Sequence, residues 1–325
     1  MSATRRQAEA PDRVPENRAP LLQRFFVYQA ERFPLLALVP LITLFTFSSA
    51  AYSRLARGAS GFVPGAVFAV GSFTAITIFF MLRVLDEHKD APWDQRFRPE
   101  LPVPRGLISL AELRWIGAGV TAAAILANLL VAPILLLPLL VVAMWATLMT
   151  KEFFVPAWLR AHPAAYLLTH MAIMPLIDGY TTGLDWLLAA EHRPRGLLLF
   201  LLVTFANGCL IEIGRKIRAP EGEREGVDTY TRAWGVRMAP IVWLSTLAAS
   251  ALLAWRAAVN TGTAREALVV LALLAVPCAW PAFRFARRAS VPASRHIDGA
   301  SQLWPAVTYL VLGAMPFLIH AMRRP

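Results

Sequence analysis

Acidic side chains are crowded into one short stretch of the sequence, at Asp86, Glu87, Asp90 and Asp94. Asp86, Asp90 and Asp94 are four residues apart, so a helix through this stretch places their carboxylates on one face. Like charges at that spacing repel each other, and the arrangement therefore favours a bound cation. Carboxylate oxygens are the ligands that Mg²⁺ prefers, and Mg²⁺ keeps positions open for water and phosphate oxygens. The stretch therefore predicts a site for Mg²⁺.

Basic residues follow the acids directly, at Arg96, Arg98 and Arg105. Guanidinium groups donate paired hydrogen bonds that suit a diphosphate. A metal-bound diphosphate is a good leaving group, because the metal neutralises the charge that develops as the C–O bond breaks. The alternative is a solvated, salt-bridged loop, which His88 and Lys89 among the acids would support.

The rest of the chain has the composition of a membrane protein. Of its 325 residues 57% are hydrophobic and 16% are charged, whereas soluble domains carry about 25% charged residues. Uncharged stretches long enough to cross a bilayer recur along the chain. Nine spans are predicted, near residues 33–52, 61–85, 109–131, 134–150, 163–185, 196–212, 238–256, 266–283 and 303–321. Pro133 predicts a tight hairpin between the third and fourth spans.

The positions of the basic residues predict the orientation. With the N-terminus in the cytoplasm, the great majority of the 32 Lys and Arg residues lie in inner segments. We therefore expect a multi-pass plasma (inner) membrane protein with a cytoplasmic N-terminus and an external C-terminus. The net charge of +11 then reflects orientation and attraction to anionic membrane lipid, and no nucleic-acid partner is expected.

The two ends of the chain differ in character. Residues 1–20 are polar and rich in arginine, which predicts a disordered cytoplasmic arm without a cleaved signal peptide. Residues 21–325 are predicted to form a single transmembrane domain, entered through an interfacial helix near residues 20–34. Cys209 and Cys278 lie in apolar runs without metal spacing and are predicted to be small buried hydrophobes.

A second charged inner loop, at residues 213–237, follows an apolar helix that ends in Glu212. Four spans separate this loop from the acidic stretch, so both are expected on the same membrane face as halves of one site above a central cavity. Glu212 is assigned to this site because a buried acid is costly unless it faces the bundle interior. His170 and Asp178, inside the fifth span, are interpreted as interior hydrogen-bonding partners.

The stretch "DEHKDAPWDQRFRPELPVPRGLIS" resembles the first signature of the UbiA family of membrane prenyltransferases. Glu87, Asp90 and Asp94 fall on its three acidic positions, and Asp86 stands where the family has Asn. The basic residue, the prolines, Gly106 and the Ile-Ser pair that follow are in register. The sequence "GVDT" from Gly226 and the later Gly235 also match the family's second loop.

The resemblance implies roles for individual residues. Glu87, Asp90 and Asp94 would bind Mg²⁺, and Asp86, Asp90, Asp94 and Glu212 would be catalytic. Residues that would bind the substrate diphosphate are Arg96, Arg98, Lys151, Arg215 and Lys216. The second family signature is altered here, since Arg215 stands where its second acid would be. Arg215 and Lys216 are therefore expected to grip the diphosphate in place of the missing carboxylates.

Taken together, the residues and the resemblance predict an all-α bundle of nine transmembrane helices of the UbiA type. The implied reaction is the Mg²⁺-dependent transfer of a prenyl group from an isoprenyl diphosphate to a hydrophobic, aromatic small-molecule acceptor. Glu212 or Asp86 would take up the proton that the acceptor loses. The alternative is a catalytically altered UbiA-like membrane protein that acts in lipid binding or transport.

Overall fold

A computed structural model describes residues 19–189 and 192–322, and these residues form helices without any strand. The predicted disordered arm lies mostly outside the described residues. The α-helices are α1 (Leu21–Arg32), α2 (Leu35–Ala56), α3 (Gly65–Phe97), α4 (Leu110–Val131), α5 (Leu136–Thr150), α6 (Pro156–Ala161), α7 (Pro163–Met171), α8 (Ile173–Trp186), α9 (Leu197–Arg215), α10 (Tyr230–Trp234), α11 (Met238–Ala258), α12 (Ala264–Arg287), α13 (Val291–Tyr309) and α14 (Met315–Met322). The predicted all-α fold is confirmed.

Eight helical segments in the described part of the chain are long and apolar enough to cross a membrane. The predicted fifth span, 163–185, is the exception, because it is divided into α7 and α8 at Ala172. Neither piece reaches the length of a spanning helix on its own. The chain is an integral membrane protein, and the predicted number of nine spans is not confirmed.

The hairpin between α4 and α5 and the entry helix agree with the predictions made from the sequence. α4 ends at Val131 and α5 begins at Leu136, with a 3-10 turn from Pro133 between them, so the predicted hairpin is confirmed. The predicted entry helix is α1. Its Arg24 donates a hydrogen bond of 2.6 Å to Glu112, and this ion pair fixes α1 to the start of α4.

α3 is the element that positions the acidic residues. It has 33 residues, and at 1.5 Å per residue it is about 50 Å long. A hydrocarbon core is about 30 Å thick, so α3 extends well beyond the membrane at one end. Asp86, Asp90 and Asp94 therefore lie on continuous helix, and their spacing of four residues places them on one face.

Asp178 and His170 form hydrogen bonds in the interior, as the sequence predicted. Asp178 accepts hydrogen bonds from Ser49, at 2.8 Å, and from Tyr309. The His170 ring lies 3.0 Å from the Tyr166 carbonyl oxygen. Both cysteines are free and buried, which confirms their interpretation as small buried hydrophobes.

Candidate active site

The acidic row on α3 has one buried carboxylate oxygen that accepts no hydrogen bond. Asp94 is 3% exposed, and its Oδ1 atom accepts no hydrogen bond. The nearest cation is Arg98, whose Nη1 atom lies 3.5 Å away. Asp90 is partly buried, and Asp86 is half-exposed and 3.9 Å from Arg83. A buried carboxylate oxygen without a donor is costly, so this row can accept a cation.

Glu87 has a different environment from the other acids. It is 2% exposed, and Arg32 of α1 donates a hydrogen bond of 2.6 Å from Nε to its Oε1 atom. The charge of Glu87 is therefore already neutralised within the fold. This ion pair joins the end of α1 to α3.

The available carboxylates suit a metal ion whose coordination shell is completed by the substrate. Within the described residues, no group of three or more His, Cys, Asp or Glu side chains converges to hold a metal ion. Mg²⁺ is commonly bound through one or two carboxylates, with water and substrate phosphates completing the shell. Asp90 and Asp94 fit that kind of site, because one buried oxygen of Asp94 accepts no hydrogen bond.

The second charged loop begins with a neutralised acid. Glu212 is 3% exposed and accepts a hydrogen bond of 2.6 Å from Arg215. Lys216 lies 2.8 Å from its other oxygen. Two cations around one buried carboxylate leave a net positive charge. The Arg215 side chain is 53% exposed, so it retains donors for a further anion.

The two charged segments meet at one end of the bundle, as predicted. Trp93 of α3 donates a hydrogen bond of 2.5 Å to the carbonyl oxygen of Gly226 in the second loop. The Phe97 ring covers Gly226, and a Cβ atom at this position would lie 2.4 Å from it. Gly226 also has a φ of +72°, which glycine adopts without a steric penalty. Glycine is therefore required at the contact between the two segments.

A third group of charges was missed by sequence reasoning. Lys89 lies 3.0 Å from Glu152 and donates a hydrogen bond of 3.3 Å to the Tyr166 hydroxyl. Glu152 also lies 3.6 Å from Nε2 of His170. No spacing signal links these residues, since they come from α3, α7 and the turn after α5. The adjacency of Glu152 to Lys151 was the one available hint.

The backbone at Glu152 is unusual. Glu152, Phe153 and Phe154 have φ angles of +47°, +50° and +61°. Each left-handed residue other than glycine costs about 1–2 kcal/mol. The turn places the Glu152 carboxylate against Lys89, and such strained turns cluster at functional sites.

Tyrosine rings connect this group to the second loop. Lys216 lies 5.4 Å from the centre of the Tyr166 ring and 5.8 Å from that of Tyr230, within the range of cation–π attraction. Burial and the nearby Glu212 carboxylate raise the pKa of Tyr230, so its hydroxyl stays protonated. The tyrosines hold Lys216 beside Glu212.

The remaining cations that the sequence suggested for the diphosphate differ in exposure and in contacts. Lys151 is exposed, and the described residues provide it with no ion-pair partner. Arg96 is exposed and stacks 5.0 Å from the Phe97 ring centre. Arg105 donates a hydrogen bond of 2.8 Å to Glu31 and holds the pKa of that carboxyl below its usual value.

Comparison with known proteins identifies the fold. No model of a protein family matches the chain, and no curated protein matches it. A solved digeranylgeranylglyceryl phosphate synthase, an enzyme studied in membranes, is similar in structure, with a TM-score of 0.60. The match covers 93% of this chain and 100% of that chain at 12% sequence identity.

That synthase is a prenyltransferase of the UbiA family. The chain therefore has the UbiA-type fold, as the acidic signature led us to expect, while the low identity marks it as divergent. At such an identity the likeness establishes the fold and leaves the reaction to be argued from the site.

Proposed function

We propose that the protein transfers a prenyl group from an isoprenyl diphosphate to a hydrophobic acceptor, in our expectation an aromatic one, in a reaction that depends on Mg²⁺. The observation that carries this proposal is the meeting of two opposite charge groups at one end of a UbiA-type bundle. The acidic row of α3 contains a buried oxygen that accepts no hydrogen bond, and the facing loop presents the exposed Arg215. A metal-bound diphosphate is complementary to both.

Asp90 and Asp94 are the residues that would hold the metal, with Asp86 nearby on the same face. Bound Mg²⁺ would neutralise negative charge on the departing diphosphate. Glu87 is left out of this set, because Arg32 already occupies its carboxylate. Its role in the proposal is to fix α3 against α1.

The cationic side chains would bind the diphosphate itself. Arg98 lies beside Asp94, and Arg215 and Lys216 lie at the head of the facing loop. Hydrogen bonds from charged donors to phosphate oxygens are short and strong. Exposed Lys151 supplies a further cation at the end of α5. These groups stabilise charge on the leaving group as the C–O bond breaks.

The apolar bundle would protect the allylic cation that remains, because exclusion of water prevents its hydrolysis. The acceptor then forms the new bond and loses a proton. We assign proton uptake to Asp86, since Glu212 is neutralised by two cations. Asp86 is half-exposed and only distantly paired with Arg83.

The site would face the cytoplasm of a plasma-membrane protein, because the basic residues concentrate on that side. The lipid-binding or transport alternative is not favoured by the structural comparison. Mass spectrometry of the lipid that co-purifies with the protein separates the two functions. Recovery of a polyprenyl diphosphate or a prenylated product is expected, whereas recovery of bulk phospholipid alone would contradict the proposal.

A further inference from the structure

Lys89 is a cation inside the acidic row of α3, next to Asp90 and three residues after Asp86. Helix side chains three residues apart are neighbours, so a lysine at this position can pair with the acids of its own helix. Such a pair would compete with a metal ion for the same carboxylates. The structure shows a different pairing, since Asp86 lies 3.9 Å from Arg83 and Asp90 has no ion pair among the described residues. The acidic row is therefore free of its own lysine.

Lys89 is held instead by two groups from outside α3. Its Nζ atom lies 3.0 Å from Oε1 of Glu152 and donates a hydrogen bond of 3.3 Å to the Tyr166 hydroxyl. The Lys89 side chain is 17% exposed and that of Glu152 is 21% exposed. A partly buried ion pair is screened by salt much less than a surface pair. The pair therefore fixes the direction in which the lysine points.

The other oxygen of Glu152 faces a histidine. Oε2 of Glu152 lies 3.6 Å from Nε2 of His170, and both atoms are buried without a hydrogen bond. The His170 ring stacks on the Tyr166 ring, with 3.8 Å between the ring centres. The two groups that hold Lys89 are thus packed against the same histidine and form one cluster.

The turn that carries Glu152 is strained and is held in place by aromatic rings. Glu152 and Phe153 have φ angles of +47° and +50°, which residues other than glycine rarely adopt. The Phe153 ring lies edge-on to Trp145, at 5.3 Å between ring centres, and to His170, at 6.0 Å. Trp145 also donates a hydrogen bond of 3.0 Å to the Thr169 carbonyl oxygen, which joins α5 to α7. Such a backbone persists only where the surrounding structure imposes it, and here the packing brings a carboxylate to Lys89.

We propose that Glu152 is a positioning residue that holds Lys89 away from the acidic row and so keeps Asp86 and Asp90 free for a metal ion. This inference rests on the proposed function and adds the contact that protects the metal site from a neighbouring cation. It accounts for an acidic row that contains a lysine and still has carboxylates free of it. Without Glu152, Lys89 is within reach of the acids on its own helix.

The test is a Mg²⁺ titration of the binding of geranylgeranyl thiolodiphosphate, a donor analogue that resists turnover, to the purified full-length protein. Glu152→Gln releases Lys89, which then pairs with the acidic row. Competition by one ion pair near the surface raises the Mg²⁺ concentration at half-maximal binding about fivefold. Glu152→Asp keeps the charge on a shorter side chain and gives an intermediate value.

The double variant Lys89→Met/Glu152→Gln distinguishes this role from a purely structural one. It lacks the same acid as Glu152→Gln but has no lysine to compete, so its Mg²⁺ midpoint returns to within about twofold of the wild-type value. Lys89→Met alone keeps the wild-type midpoint or lowers it. The matched control is Glu100→Gln, which removes an exposed acid from the turn after α3 and leaves the midpoint unchanged.

A double variant with a midpoint as high as that of Glu152→Gln would overturn the inference, because Glu152 would then act on the metal site without Lys89. An unchanged midpoint in Glu152→Gln, or a raised one in Lys89→Met, would overturn it as well. Thermal unfolding without Mg²⁺ verifies that each variant is folded, and Glu152→Asp with its Lys89→Met double variant gives the same comparison should the glutamine variant not fold. Failure of the wild-type protein to bind the analogue with Mg²⁺ would instead overturn the proposed function.

Discussion

The substitution Glu87→Gln separates the two interpretations of the acidic signature. The family resemblance places Glu87 among the metal ligands, whereas the structure pairs it with Arg32 at 2.6 Å. The Glu87 side chain is 1% exposed and that of Arg32 is 19% exposed. Breaking a fully buried pair costs about 3–5 kcal/mol. Because Arg32 retains some contact with water, we expect Glu87→Gln to lower the free energy of unfolding by about 2–3 kcal/mol.

Thermal unfolding of the detergent-solubilised protein measures this loss. One kcal/mol corresponds to about 2 °C in Tm for a chain of this size, so the expected decrease is about 5 °C. The double variant Arg32→Gln/Glu87→Gln should lose less than the sum of the two single variants, because the partners share one interaction. The apparent affinity for Mg²⁺ in the presence of a prenyl diphosphate should remain unchanged.

Asp90→Asn is the matched comparison and should behave in the opposite way. Within the described residues its side chain forms no hydrogen bond or ion pair, so Tm stays constant or rises slightly as repulsion from Asp94 is removed. Its Mg²⁺ dependence should be lost. A Glu87→Gln protein with unchanged Tm and weakened Mg²⁺ binding would refute the assignment of Glu87 to the fold.

Two further predictions concern the second loop. Replacing Arg215 and Lys216 with Ala, together with Glu212→Gln so that no buried carboxylate is left unpaired, should raise the KM for the prenyl donor about tenfold or more. Mg²⁺ dependence should remain, and an unchanged KM would show that these bases do not bind the diphosphate. Gly226→Ala should loosen the contact with Phe97, at a cost of about 1–2 kcal/mol from the left-handed backbone alone, and should speed proteolysis within residues 216–229. Gly222→Ala, where a Cβ atom has ordinary contact distance, is the control, and equal cleavage of the two variants would contradict the steric argument.

Much of the fold could be predicted from the sequence, because a bilayer imposes long apolar segments. The hairpin at Pro133 and the meeting of the two charged loops follow from hydropathy and spacing, whereas the predicted second span ended at residue 85 and α3 continues to Phe97. The division of the fifth span could not be predicted from hydropathy, because its two short helices together form one apolar run in the sequence.

The details of the site depended on tertiary contacts. Glu87 pairs with Arg32, which is 55 residues away along the chain. No local sequence pattern predicts that contact. The same holds for Lys89 and Glu152, which meet through a left-handed turn. Local spacing predicted which charged side chains share a helix face. The tertiary packing decided which of those charges are neutralised by an ion pair.

The central claim is that Asp90 and Asp94 bind a metal–diphosphate complex. Equilibrium binding of a prenyl thiolodiphosphate, which resists turnover, tests it directly when measured with and without Mg²⁺. We expect Mg²⁺ to strengthen binding at least about tenfold in the wild-type protein and in Glu100→Gln, which changes an exposed acid six residues after Asp94. The double variant Asp90→Asn/Asp94→Asn should bind equally with and without Mg²⁺. An equal Mg²⁺ effect in the double variant and the wild-type protein, or none in either, would contradict the account.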